Sequence, residues 1–211
     1  MIDRKDVFKG TLDKMEFSST TSLKFKEDLF DYFGEKFLNK KVLELGTHYG
    51  YSTRFLSFFF EKVYTIDNQA DCITKARQYC RDRNNIEFWE GDLYNSLVYF
   101  DVEPREQGVR VPGIFDDMPK DIDVVFIDAM HLYPTVIMDS INTLLKFDKP
   151  IIIYDDYGSE NPVKRAVDDL IKLKIEVTLV IIYLIMKVLY VGDYNNEFKK
   201  YIFDWGSRNV L

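Results

Sequence analysis

The sequence predicts an α/β domain, a mostly parallel sheet with helices on both faces, and three observations predict it. Short apolar runs alternate with longer segments of helical periodicity from residue 41 to residue 173. Several of those runs end in an acid, as at Asp67, Asp92, Asp128 and Asp155. The chain has 211 residues, 46% hydrophobic and 30% charged, which suits one sizeable core and excludes a disordered chain.

The elements follow in order. Leu23–Phe37 carries Leu23, Phe25, Leu29, Phe30, Phe33 and Phe37 at helical spacing, so residues 1–40 are expected to form a helical extension. Lys41–Leu45 reads as a buried strand, followed by a glycine-containing turn and an apolar helix over Tyr51–Phe60. The next strand is Val63–Ile66 and ends at Asp67; a helix over Ala70–Arg83 leads to the strand Ile86–Trp89, which ends near Asp92. The alternation resumes with a strand at Asp123–Ile127, a helix at Pro134–Leu145 and a strand at Ile151–Tyr154. Pro162–Leu173 is the last predicted helix, with Asn161 as its cap and Pro162 in its first turn. Right-handed crossovers between such strands give a parallel sheet.

Two segments stand apart. Leu93–Lys120 holds Pro104, Gly108, Pro112, Gly113 and Pro119 with little periodicity, and is expected to be an insertion loop on the substrate side. Val177–Val191 is apolar but short for a membrane span, contains Lys187 and is rich in Val and Ile. Two buried strands with no helix between them, hence an antiparallel pair, are expected there. With no internal repeat, residues 1–211 are taken as one domain.

Composition narrows the function classes. A net charge of −7 argues against general nucleic-acid binding. The 17 Phe and 14 Tyr imply a ring-rich core and pocket. Cys72 and Cys80 lie eight apart on one predicted helix. That is about 12 Å of rise, too far for a disulfide. A reducing, cytoplasmic setting follows. The first ten residues lack the apolar core of a signal peptide, and no membrane association is expected.

The strongest early motif is Val42-Leu-Glu-Leu-Gly-Thr-His-Tyr-Gly-Tyr-Ser. Gly46 and Gly50 let the backbone turn sharply and approach a ligand. Their Gly-x-x-x-Gly spacing differs from the dinucleotide fingerprint, which disfavours a nicotinamide dehydrogenase. Asp67 lies about twenty residues further on, at a strand end where a carboxylate can accept ribose hydroxyls. Each acid alone is unremarkable on a solvated loop; the ordered set is not.

This set resembles class I S-adenosylmethionine (SAM)-dependent methyltransferases over roughly Lys41 to Asp193. The resemblance implies a Rossmann-like, doubly wound, seven-stranded sheet of order 3-2-1-4-5-7-6 with one antiparallel strand near the C-terminus. It also implies Glu44, Gly46, Gly50, Asp67 and Asp92 as cofactor residues. The glycine loop would cradle the methionine part, Asp67 the ribose and Asp92 the adenine edge, while His48 is read as a loop residue.

Val124-Val-Phe-Ile-Asp-Ala-Met-His and Ile151-Ile-Ile-Tyr-Asp-Asp-Tyr-Gly narrow the resemblance. On neighbouring strands, about 4.8 Å apart, Asp128, Asp155 and Asp156 would converge on one rim. Crowded carboxylates need a proton or a cation, and oxygen donors favour Mg²⁺, Mn²⁺ or Ca²⁺. With the Lys164-Arg-Ala-Val-Asp-Asp helix, these segments are similar to the metal-dependent macrocin-O-methyltransferase-like (methyltransferase-24-like) group. That resemblance implies Asp128, Asp155 and Asp156 as Mg²⁺ ligands and His131 as general base. The substrate would be a hydroxylated small molecule such as a sugar, and a homo-oligomer would be in keeping with related enzymes. Another SAM-binding enzyme on the same scaffold, hydroxylase-like, and a non-catalytic SAM-binding module are the alternatives.

Overall fold

The computed structural model describes residues 2–9, 21–94, 113–158, 160–172, 179–182, 203–204 and 209–210. After a short helix α1 (Arg4–Phe8), the chain enters α2 (Leu23–Phe33), where the Ser22 hydroxyl caps by accepting from the Phe25 N–H at 3.2 Å. Gly34, at φ +48°, ends α2 four residues before the predicted end, its N–H bonding the Phe30 carbonyl. Then β1 (Lys41–Leu45), α3 (Tyr51–Leu56), β2 (Lys62–Asp67), α4 (Ala70–Tyr79) and β3 (Ile86–Glu90) follow. The second half holds α5 (Ile114–Asp117), β4 (Val124–Ile127), α6 (Tyr133–Lys146), β5 (Ile151–Tyr154), α7 (Asn161–Lys172) and β6 (Leu179–Ile182).

Five strands pair in the order β3-β2-β1-β4-β5, all parallel, as the first five places of the expected order require. The sixth differs. Leu179–Ile182 pairs directly with β5 and parallel to it, where the expected order inserts an antiparallel strand. A seven-stranded sheet with such a strand is therefore not seen among the described residues, and residues 183–191, where it was expected, lie outside them. A two-residue antiparallel pair, β7 (Phe203–Asp204) with β8 (Asn209–Val210), forms a separate small sheet. Most of the expected insertion, residues 95–112, also lies outside the described residues, but its end folds as α5 rather than loop.

The sheet is apolar on both faces because parallel strands are covered on both sides. Val42, Val63, Val124, Phe126 and Ile153 face α2 and α3, against Phe25, Leu29, Phe33, Phe55 and Phe59. Their neighbours Leu43, Leu45, Ile66, Val125 and Ile152 face α6 and α7. On α7, Val163, Ala166, Val167 and Leu170 repeat at i, i+3, i+4 and i+7, the stripe a covering helix needs. The carboxyl ends of β1, β2, β4 and β5 thus share one rim, where open α/β sheets bind ligands. Among the described residues no helix is long and apolar enough to cross a membrane.

Candidate functional site

The turn after β1 is built around a close approach. Gly46 stands at φ +98°, and a Cβ there would lie 2.1 Å from the Asp128 carbonyl oxygen at the end of β4. Only glycine lets the two strand ends meet at this point. Gly50, at φ +81°, precedes α3 and packs against α4, where a Cβ would meet Ala76 at 2.9 Å. Asp67, at the end of β2, ties the turn down: its carboxylate accepts from the His48 N–H at 2.7 Å and the Gln69 N–H at 2.8 Å. Asp92 is exposed beyond β3 and accepts from the Asn68 amide at 2.9 Å.

These groups border a pocket of about 480 Å³. Gly46, Asp67, Asp92, Asp128 and His131 line it, together with Asp139 of α6. Glu44, Gly50, Asp155 and Asp156 are not among its lining residues. Glu44 lies behind the glycine turn, fully buried, with Oε2 accepting from the Thr53 and Thr65 hydroxyls and Thr47 bonded to Thr65 at 2.6 Å. It stiffens the turn from beneath. Burial pushes its carboxyl up from 4.5 to about 8, against the two hydroxyl bonds that favour the anion.

That shift sets a pH dependence. The folded state holds the Glu44 proton more tightly than the unfolded chain, so this stabilisation is complete below pH 4.5 and is lost as pH rises towards 8. A Glu44→Gln variant lacks the slope. Its unfolding free energy should gain on the wild type from the acid to the alkaline end of that window, which urea titrations at both ends measure. An unchanged difference would contradict the assignment.

On the same rim, Asp128, His131 and Asp156 bring one ligating atom each within 4.8 Å of one another. The His131 ring lies between the carboxylates, with Nε2 3.4 Å from Asp128 Oδ1 and Nδ1 3.3 Å from Asp156 Oδ2. Asp156 takes up a left-handed conformation, φ +57°. Its neighbour Asp155 is 3% exposed; it accepts from the Thr21 hydroxyl at 2.9 Å and from the Asp156 N–H at 3.0 Å. The converging set therefore includes His131 and not Asp155. Burial and the neighbouring carboxylates push Asp128 and Asp155 well above the usual carboxylate range.

Five contributors escaped the sequence reading: Thr21, Lys26, Thr53, Thr65 and Asp139. Lys26 is 1% exposed on α2. Burial pulls its ammonium down to about 8, while the charges of Asp155, Asp128 and Glu44 hold it up. A visible signal existed, since Lys26 takes the same helical stripe as Leu29 and Phe33, positions that face a core. The Lys164-Arg-Ala-Val-Asp-Asp helix is scaffold: Asp168 accepts from Tyr157 and Lys164, both at 2.6 Å, and Asp169 from Tyr133 at 3.1 Å.

A family model described as a methyltransferase domain matches residues 43–157, more than half of the sequence. The chain belongs to that family. The matched stretch runs from β1 through the Asp155-Asp156-Tyr157 turn, so it spans both the glycine turn and the acidic rim of this methyltransferase. A search of curated protein sequences finds no match. Solved structures are similar in fold. The O-methyltransferase TomG from Streptomyces achromogenes, in complex with SAM, aligns with a TM-score of 0.55 at 15% identity, over 82% of this chain and 80% of that one. An O-methyltransferase from Bacillus cereus in complex with SAH gives 0.50 at 18% identity, over 80% and 76%. A precorrin-8w decarboxylase from Methanobacterium thermoautotrophicum gives 0.55 at 16% identity, over 75% of each chain. At such identities the likeness is one of fold alone.

Proposed function

We propose that this methyltransferase moves a methyl group from SAM to a hydroxyl oxygen of a small molecule, with a divalent cation at the acidic rim. The observation that carries the reading is the convergence of Asp128, His131 and Asp156 beside a pocket already bordered by Gly46 and Asp67. In this reading Gly46 admits the methionine arm to the backbone, with Gly50 and Glu44 holding the turn in shape. Asp67 accepts the ribose hydroxyls on the lone pairs its two N–H bonds leave free, and Asp92 stands at the adenine end.

The donor set fits a hard cation, since Asp128 and Asp156 offer carboxylate oxygens within 4.8 Å of each other and of a His131 ring nitrogen. A divalent cation there would supply Lewis acidity that lowers the pKa of a neighbouring hydroxyl. His131 takes the hydroxyl proton on a ring nitrogen. The oxygen forms a bond to the methyl carbon as the carbon–sulfur bond breaks, and its electron pair leaves with sulfur as S-adenosylhomocysteine (SAH). Alignment of the two reactants is the larger part of what the protein supplies.

The test is a Mn²⁺ titration followed by paramagnetic resonance, run beside a methyl-transfer screen of sugars and phenols. Wild type is expected to bind Mn²⁺, and Asp156→Ala to lose about tenfold or more in affinity. An acceptor product heavier by one methyl in place of hydrogen, lost on chelation, would support the reading. Transfer that is indifferent to chelation and to Asp156→Ala would sink the metal role. A product carrying oxygen instead of methyl would indicate hydroxylase-like chemistry.

A further inference from the structure

Asp139 is a carboxyl that the proposed chemistry does not use. It projects from α6, is 2% exposed, and still lines the pocket. The hydroxyl of Tyr94, which follows β3, is the side-chain group that favours its charged form. Leu93, Met130 and Met138 line the same pocket and offer apolar walls suited to a flat ring. Asp92, at the mouth, is exposed and already engaged by Asn68.

The inference rests on the cofactor reading above. With the methionine arm at Gly46 and the ribose at Asp67, the adenine ring extends towards Leu93 and Tyr94, the side on which Asp139 lies. A carboxylic acid presents one O–H donor beside one C=O acceptor. The outer edge of adenine presents the matching pair, the N1 acceptor beside the N6 amino donor. We infer that Asp139 is the adenine-specificity residue of the cofactor pocket, donating its O–H to N1 and accepting from the N6 amino group.

The protonation this needs is available. Burial pushes the Asp139 carboxyl from 3.8 up to about 7, opposed by the Tyr94 hydroxyl. Among the described residues, Tyr94 and Tyr154 of β5 are the titratable groups coupled to it, and Tyr154 is itself bonded to Ser140 at 2.7 Å. Above that range the carboxylate would face N1 with no proton between them, and the pair would be lost.

The experiment is a calorimetric titration with SAH and with its 1-deaza analogue, in which a C–H replaces N1. Wild type, Asp139→Asn and Asp139→Leu are compared about one unit below and two units above the Asp139 pKa. Wild type should bind SAH about tenfold more weakly at the alkaline end. Asp139→Asn, which keeps a donor beside an acceptor at every pH, should bind about equally at both. Asp139→Leu should lose roughly tenfold or more at the acidic end. The analogue, which keeps the N6 amino group, should bind wild type more weakly than SAH does and narrow the gap between wild type and Asp139→Leu. Equal SAH affinity of wild type and a folded Asp139→Leu would overturn the inference and leave the cofactor reading standing. Should Asp139→Leu fail to fold, equal affinity of wild type for SAH and its analogue would overturn it instead. No SAH binding by wild type would overturn the cofactor reading itself.

Discussion

Gly46→Ala is expected to destabilise the fold by roughly 3 kcal/mol or more and to abolish cofactor binding. The added Cβ would stand 2.1 Å from the Asp128 carbonyl oxygen, 2.7 Å from its carbon and 2.9 Å from the Ala129 Cα. All three are backbone atoms, so no side-chain rotation relieves the clash. Relief requires the ends of β1 and β4 to part, and those ends carry the turn and Asp128. Gly34→Ala is the control: Gly34 also has positive φ, yet a Cβ there meets nothing within 4 Å. It should cost about 2 kcal/mol, the backbone term alone, since φ +48° with ψ −135° lies outside the left-handed helical region. Chemical denaturation of both variants separates strain from clash, and equal losses would contradict the close approach.

Lys26→Met should be nearly as damaging, by about 3 kcal/mol near neutral pH. The ammonium is buried among Asp155, Asp128 and Glu44, and methionine keeps its volume while removing its charge. The carboxylates must then take up protons or repel one another. The loss should shrink towards acid pH, where those acids are protonated without help, and the lysine's own burial then counts against the wild type. Stability curves for the two proteins across pH measure this. A methionine variant as stable as wild type at neutral pH, where the lysine is still charged, would show that the ammonium compensates nothing.

Much of this was legible in the sequence, and the reasons are local. The strands β1 to β5 are short apolar runs punctuated by glycine, proline or acid, so their order and carboxyl ends could be read directly. Gly46, Asp67 and Asp128 followed from position at those ends. Pairing was harder to read than position. Asp155 and Asp156 are adjacent in sequence, yet the left-handed backbone at Asp156 sends one carboxyl towards His131 and leaves the other with Thr21. Thr21 and Lys26 belong to a segment that pattern marks only as helix and its approach, and their role depends on α2 lying against β4, as the Phe25–Phe126 ring contact shows. The edge beyond β5 was the hardest part to read, because a run of Val and Ile gives strand character without strand direction.

The most direct test of the account is calorimetric titration of the wild-type protein and of Asp67→Ala with SAM. One site per chain is expected in the wild type and an affinity loss of about a hundredfold in the variant. That variant forfeits a charged acceptor for the cofactor and the anchor of the His48 and Gln69 amides together. A folded wild-type protein that takes up no SAM, with or without Mg²⁺, would contradict it.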